Sequence, residues 1–386
     1  MSLAVVMAGR LSFGGAAASD YQEVGVRDHL PVFYSEASER ITHPLSWLAH
    51  MPGNFEAWKA SARSEVRRCL LNPPPEAPWE AVVLDEEDRG DHVARKVVFN
   101  LSGDSRVLAY LTRPKGPGPF PAVLLLHDHG ARFDIGKEKL IEPWGVPGEK
   151  IASAREWVGK GLGGRFLGDA LAGRGYVCLA TDVLNWSDRG GGGYEAQQSL
   201  ASNLMHLGMS YAGLTAWEDM RAAEFLAAQP EVDATRVAAM GWSMGGFRAW
   251  QVAALSDHVA GAVAICWMNT VRRLMTPGNN QTRGHSAYTM LHPGLLDQLD
   301  YPDVASIACP KPMLFYNGRQ DRLFPPDGVE AAYTKMRAVW ASQDAEDQLV
   351  TRLWDVGHEF NTEMQEAAFA WIDRVLAADT DHPKRP

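Results

Sequence analysis

The chain has 386 residues, 46% hydrophobic and 22% charged, and its 37 basic against 47 acidic side chains leave a net charge of −10. That balance excludes the clustered Lys and Arg needed to hold nucleic acid phosphates or an anionic membrane surface, so neither a nucleic acid nor a membrane is expected as a partner. Four scattered cysteines, Cys69, Cys178, Cys266 and Cys309, contain no C-x-x-C pair and argue against a disulfide framework.

Residues 1–19 read as a flexible leader. The apolar stretch Leu3-Ala4-Val5-Val6-Met7 is short, is preceded by no basic residue and is followed by Arg10. A cytoplasmic protein is expected, with export through a weak signal ending near Ala16-Ala17-Ala18 as the alternative. No apolar run reaches the roughly 18 residues of a spanning helix.

Residues 20–80 read as a helical N-terminal extension, with apolar positions at helical spacing in Phe55, Trp58, Ala62, Val66 and Leu70. It stops at Asn72-Pro73-Pro74-Pro75, where prolines remove donors and enforce extended backbone. A second unit follows over 81–380. It opens with two β-rich runs, Val93 to Leu101 and Arg106 to Thr112, around the turn signal Ser102-Gly103-Asp104. Buried runs then alternate with helical stretches: Ala122 to Leu126, Tyr176 to Thr181, Val237 to Met240, Val259 to Ile265, Met313 to Tyr316 and Leu349 to Trp354. Helices are expected at about 165–173, 213–229, 245–256, 327–342 and 361–378. This order predicts an α/β fold with a mostly parallel sheet of about eight strands and helices on both faces. Two long connections, at about 128–165 and 267–309, are expected to act as lid-like insertions over a pocket.

The sharpest motif is Gly241-Trp242-Ser243-Met244-Gly245, which follows the run ending at Met240 and opens a helix. G-x-S-x-G in that setting places a serine hydroxyl on a tight strand-to-helix turn, above the sheet and at a helix N-terminus that favours a developing oxyanion. The helix N–H of Met244 is one expected oxyanion donor. A hydroxyl needs a base and a carboxylate to orient it. Asp321 follows the run ending at Tyr316, and His358 follows the run ending at Trp354. Ser243 is therefore the candidate nucleophile, His358 the general base and Asp321 its partner, in the order Ser, Asp, His. Asp321 could instead pair with Arg319 or Arg322, and Asp355 is a second acidic candidate.

The second oxyanion donor is expected from the loop Leu126-His127-Asp128-His129-Gly130, through the backbone N–H of His129, with His127 buttressing the loop. His127 and His129 also form H-x-H, so a metal-dependent hydrolase is a rival reading, with Asp134, Asp182 and His206 available as ligand types. The serine apparatus needs neither metal nor organic cofactor, and none is expected. Among 13 tryptophans, Trp186 and Trp267 follow strand ends and are candidates for binding substrate, while Trp242 is expected beneath the serine turn.

On these motifs, and on Val232-Asp233-Ala234-Thr235-Arg236-Val237, Gly318-Arg319-Gln320-Asp321 and Gly357-His358-Glu359-Phe360, the chain from about Val93 to Leu376 resembles the α/β-hydrolases. The likeness is to the dienelactone-hydrolase-like and acetyl xylan esterase-like group, which is related to the prolyl oligopeptidase catalytic domain. Residues 20–80 resemble the helical extension of some acetyl xylan esterase-like members. The resemblance implies hydrolysis of a small acyl ester through an acyl-enzyme, with an acetylated carbohydrate as the candidate substrate. Dienelactone hydrolases use cysteine where this chain has Ser243, which argues against dienelactone. A serine peptidase is the weaker alternative, because the roughly 90 residues before the hydrolase region are too few for a propeller. A hydrolase-fold protein that only binds its ligand is a third. Oligomeric state is not legible.

Overall fold

The computed structural model describes residues 25–377, so the expected leader at 1–19 lies outside the described residues. Among those described, one sheet contains nine strands: β1 (Val82–Asp88), β2 (His92–Asn100), β3 (Arg106–Pro114), β4 (Phe120–Leu126), β5 (Val177–Ala180), β6 (Val232–Trp242), β7 (Gly261–Ile265), β8 (Met313–Gly318) and β9 (Leu349–Trp354). Their order is 1-2-3-5-4-6-7-8-9. The first three pair antiparallel, and β4 to β9 are parallel. The strand beyond the expected eight is β1, whose acidic second half and exposed first half, Val82 to Leu84, carry no buried face for a sequence pattern to reveal.

The helices about the sheet include eight that matter for the site: α1 (Phe55–Leu70), α2 (Gly148–Gly161), α3 (Leu167–Ala172), α4 (Gly193–His206), α5 (Tyr211–Ala227), α6 (Met244–Leu255), α7 (Pro326–Ala341) and α8 (Thr362–Val375). Alternate residues of each parallel strand supply opposite faces. Leu124, Leu126 and Ala239 join a core that includes α1, α5, α6 and α7, while Val123, Leu125 and Met240 join one that includes α2, α3 and α8. Both faces are covered, which is why these strands read as continuous apolar runs.

The α1 helix shares the first core through Phe55, Trp58, Val66 and Leu70, none more than 8% exposed. At about 1.5–3 kcal/mol per buried side chain of this size, α1 is held firmly to the strands it covers. Arg63 and Arg67 add hydrogen bonds to the carbonyls at the end of α6, Ala254 and Leu255. Two of these eight helices lie where none was expected. One is α2, inside the first insertion. The other is α4, which begins at the last glycine of the run Gly190 to Gly193. No described helix is long and apolar enough to cross a membrane.

The parallel register determines where the site forms. Leu126 pairs with Gly241, Trp242 with Ile265 and Gly318 with Trp354, so β4, β6, β7, β8 and β9 release their following loops along one edge.

Candidate active site

Ser243 sits between β6 and α6 at φ 57° and ψ −126°, outside the conformations L-residues favour. The strain is held from both sides: its N–H donates to the Ile265 carbonyl at 2.8 Å, and its carbonyl accepts from Phe247 N–H at 3.1 Å. The flanking glycines are steric necessities. A Cβ on Gly241 would lie 2.2 Å from the Gly245 carbonyl carbon, and one on Gly245 would lie 1.9 Å from the Leu126 carbonyl oxygen.

The structure brings the three predicted residues together. His358 Nε2 lies 2.8 Å from Ser243 Oγ, and His358 Nδ1 lies 2.6 Å from Asp321 Oδ2. The carboxylate fixes the imidazole with hydrogen on Nδ1, leaving Nε2 to accept from the serine hydroxyl. Asp321 is buried, and its other oxygen accepts from Leu323 N–H at 2.9 Å. The second acidic candidate is occupied elsewhere, since Asp355 accepts from the Gln320 side chain. The His358 ring packs near Phe324, nearly parallel to it with centroids 6.0 Å apart, and near Trp242 at 5.3 Å. Trp242 thus packs beside the triad histidine as well as against Gly161 of α2. Cys266, at the end of β7, reaches the same cluster, where burial raises its thiol above the ordinary cysteine range and keeps it protonated.

The loop after β4 lies directly over the serine turn, as the approach of Gly245 to Leu126 and His127 requires. Both histidines in it are buried and neutral. Burial holds His127 well below the ordinary histidine value and pulls His129 down to about 4. His127 Nε2 accepts from Val183 N–H at 3.1 Å, so its Nδ1–H donates to the Asp128 carbonyl at 2.9 Å. His129 Nδ1 accepts from Ala131 N–H at 3.1 Å, so its Nε2–H donates to Gln197 Oε1 at 2.9 Å. These bonds use the lone pair that a metal would need on each ring. Nor do the other suggested ligands gather there. Asp182 pairs with Lys137, Asp134 accepts from Ser153, and His206 is exposed on α4. Among the described residues the His/Cys/Asp/Glu cluster close enough to share an ion is Cys266, Asp321 and His358, not the H-x-H pair.

The two tryptophans predicted to meet substrate are placed differently from the expectation. Trp186 is fully buried, its Nε1–H donating to the His129 carbonyl at 3.3 Å and its ring packed on His129 and Phe133. It supports the loop from below. Trp267 is 4% exposed and packs among Phe247, Tyr301 and Phe324, so Phe324 stands between it and His358. A tryptophan that borders the loop is Trp157 of α2, which reaches the triad histidine only through Trp242. It donates to Asp128 Oδ1 at 3.0 Å, abuts Gly130 and lies 5.9 Å from the Trp242 ring.

Charged residues that the sequence presents as surface features turn inward at the site. Lys137 and Lys139 are both fully buried. Lys137 binds Asp182, Asp188 and Glu138, joining the first insertion to the loop after β5. Arg248, on α6, makes a two-pronged bond to buried Asp219 and also donates to the His127 carbonyl at 3.3 Å. The only local hint was the glycine before the Lys137-Glu138-Lys139 run.

An open sheet of this order, with a strained serine turn after β6 and a hydrogen-bonded chain from Ser243 through His358 to Asp321 completed by the loops after β8 and β9, fits an α/β-hydrolase fold. The chain belongs to the Abhydrolase family, whose model matches residues 44–343. It is 29% identical over 290 residues to YtaP of Bacillus subtilis (strain 168), named as a hydrolase, covering 75% of this chain and 90% of that protein. Among solved structures it is similar to the Bacteroides fragilis NCTC 9343 protein BF1801, named as an acetyl xylan esterase. That likeness has TM-score 0.63 and 16% identity, over 78% of this chain and 75% of that one. It is also similar to a glucuronoyl esterase from Solibacter usitatus, with TM-score 0.58 and 13% identity, over 92% of this chain and 97% of that one.

Proposed function

We propose that the protein is a serine carboxylic ester hydrolase that cleaves a small acyl ester of a carbohydrate through an acyl-enzyme. The observation that carries the reading is His358, hydrogen-bonded to Ser243 on one nitrogen and to Asp321 on the other. Ser243 Oγ attacks the ester carbonyl carbon while His358 Nε2 takes its proton, and the Asp321 carboxylate stabilises the imidazolium without itself accepting the proton. The negative oxygen of the tetrahedral intermediate is held by the N–H groups of Met244 and His129. Collapse breaks the bond to the alcohol oxygen, which takes the proton from His358. Water, deprotonated by the same nitrogen, then attacks the acyl group, and Ser243 recovers its proton as the acid leaves.

The carbohydrate part of the reading is supported by the names of the structural neighbours, one an acetyl xylan esterase and the other a glucuronoyl esterase. Trp157, partly exposed beside the loop and next to Trp242, offers apolar ring surface suited to a sugar. The insertions at 128–165 and 267–309 are proposed as the walls of that pocket.

The test is labelling of Ser243 by a fluorophosphonate together with turnover of acetylated xylo-oligosaccharides and of a glucuronate methyl ester. Ser243→Ala should abolish labelling and lower turnover by about 10⁴-fold or more with the fold unchanged. Equal turnover by wild type and variant would refute the assignment.

A further inference from the structure

Resting on the esterase reading, we infer that Lys139 is a positioning residue of the oxyanion hole, gripping the loop after β4 so that its N–H groups face the serine. Its ammonium has three hydrogens and three acceptors: the Asp128 carbonyl at 2.9 Å, the His129 carbonyl at 3.1 Å and Asp128 Oδ2 at 3.3 Å. Lys139 and Asp128 are both buried, and Trp157 closes the far side, its ring 5.4 Å from the ammonium and its N–H on Asp128 Oδ1.

The peptide bonds from Asp128 to Gly130 are trans. In a trans peptide the carbonyl and the N–H point in opposite directions. Holding the Asp128 carbonyl therefore sends the His129 N–H the other way, and holding the His129 carbonyl does the same for Gly130 N–H. Successive N–H groups turned to one side form an anion-binding concavity. Gly130, at φ 56°, supplies the left-handed conformation such a turn needs. The grip extends one residue further, because Arg248 holds the His127 carbonyl from α6, the helix that carries the Met244 N–H. Three consecutive carbonyls are thus held by buried cations, and the loop is tied to the helix that supplies the other oxyanion donor. A cation on a carbonyl oxygen also polarises that peptide, strengthening its N–H as a donor.

A lysine that only fills space would be replaceable by methionine at a cost in stability alone. A positioning lysine stabilises the oxyanion and so acts on kcat. The experiment compares wild type, Lys139→Met, the double variant Asp128→Asn/Lys139→Met, and Trp340→Phe. The double variant removes both buried charges together and so protects against misfolding from an unpaired carboxylate. Trp340 is a buried residue whose N–H donates to the Lys311 carbonyl, away from the loop, and its variant serves as the destabilised control.

The readouts are kcat and KM on a short aryl ester, and Ki for an alkyl trifluoromethyl ketone, which forms an anionic adduct on the serine. The expected result is a fall in kcat of about 10²-fold with a parallel weakening of Ki, and KM changed by less than about threefold. Folded Lys139 variants with the kcat and Ki of Trp340→Phe, or with a change in KM alone, would overturn the inference. Failure of the esterase reading looks different: wild type itself would neither label with fluorophosphonate nor turn over ester.

Discussion

Replacing Gly245 by alanine tests how closely the serine turn and the oxyanion loop are coupled. The added Cβ would stand 1.9 Å from the Leu126 carbonyl oxygen and 2.8 Å from its carbonyl carbon. Since Cβ contacts below 3.0 Å do not persist, the shortfall is 3.0 − 1.9 = 1.1 Å, and the obstacle is backbone rather than a flexible side chain. The loop cannot yield freely, because Arg248 and Lys139 hold the next three carbonyls. Either β4 and α6 separate, or the loop breaks those bonds. Overpacking of this kind costs about 1–3 kcal/mol in stability. The larger effect is on chemistry, since Met244 N–H moves with α6 and His129 N–H with the loop. A misplacement of about 1 Å lowers kcat by about 10²-fold. Gly246→Ala is the milder comparison: its Cβ meets the Ile265 carbonyl oxygen of β7 at 2.6 Å, a shortfall of only 0.4 Å, and touches none of the loop after β4. Steady-state kinetics on an aryl ester, with circular dichroism to establish folding, would show Gly245→Ala much the slower of the two at similar KM. A folded Gly245→Ala enzyme with wild-type kcat would refute the coupling.

Other consequences can be checked separately. Asp321→Asn should keep the fold and the His358 position but allow the wrong imidazole tautomer, lowering kcat by about 10⁴-fold in stopped assays at neutral pH. Trp186→Ala should cost about 3–5 kcal/mol in denaturant unfolding and depress kcat more than KM, because the side chain props the His129 carbonyl rather than touching substrate. His292, buried against Gln251, has its value pulled down to about 4 by desolvation. The folded state then binds fewer protons than the unfolded state below the ordinary value of 6.5, so this contribution is intact above pH 6.5 and lost as pH falls to about 4. A depression from 6.5 to about 4 corresponds to about 3 kcal/mol. Relative to His292→Gln, wild type should therefore lose about that much between pH 7 and pH 4, measured by urea unfolding; parallel pH profiles would contradict it.

The sequence by itself determined the sheet strands that are buried on both faces, because a parallel strand covered by helices must be apolar throughout. It also singled out Ser243, Asp321 and His358 as the candidate triad, since each follows such a strand, and the fold brings the three within hydrogen-bonding distance. The G-x-S-x-G spacing is legible for a steric reason, as any side chain at 241 or 245 collides with backbone. Tertiary structure alone decided what lies one layer out. β1 carries no buried face, so its pairing with β2 is recorded only in the fold. Trp186 and Trp267 are turned inward by neighbours far along the chain, a fact that strand-end position cannot convey. Lys139 and Arg248 resemble solvated charges in any local window. Their roles arise from acceptors at residues 127–129 and 219, which only the folding of the first insertion and α6 over the strand ends brings within reach.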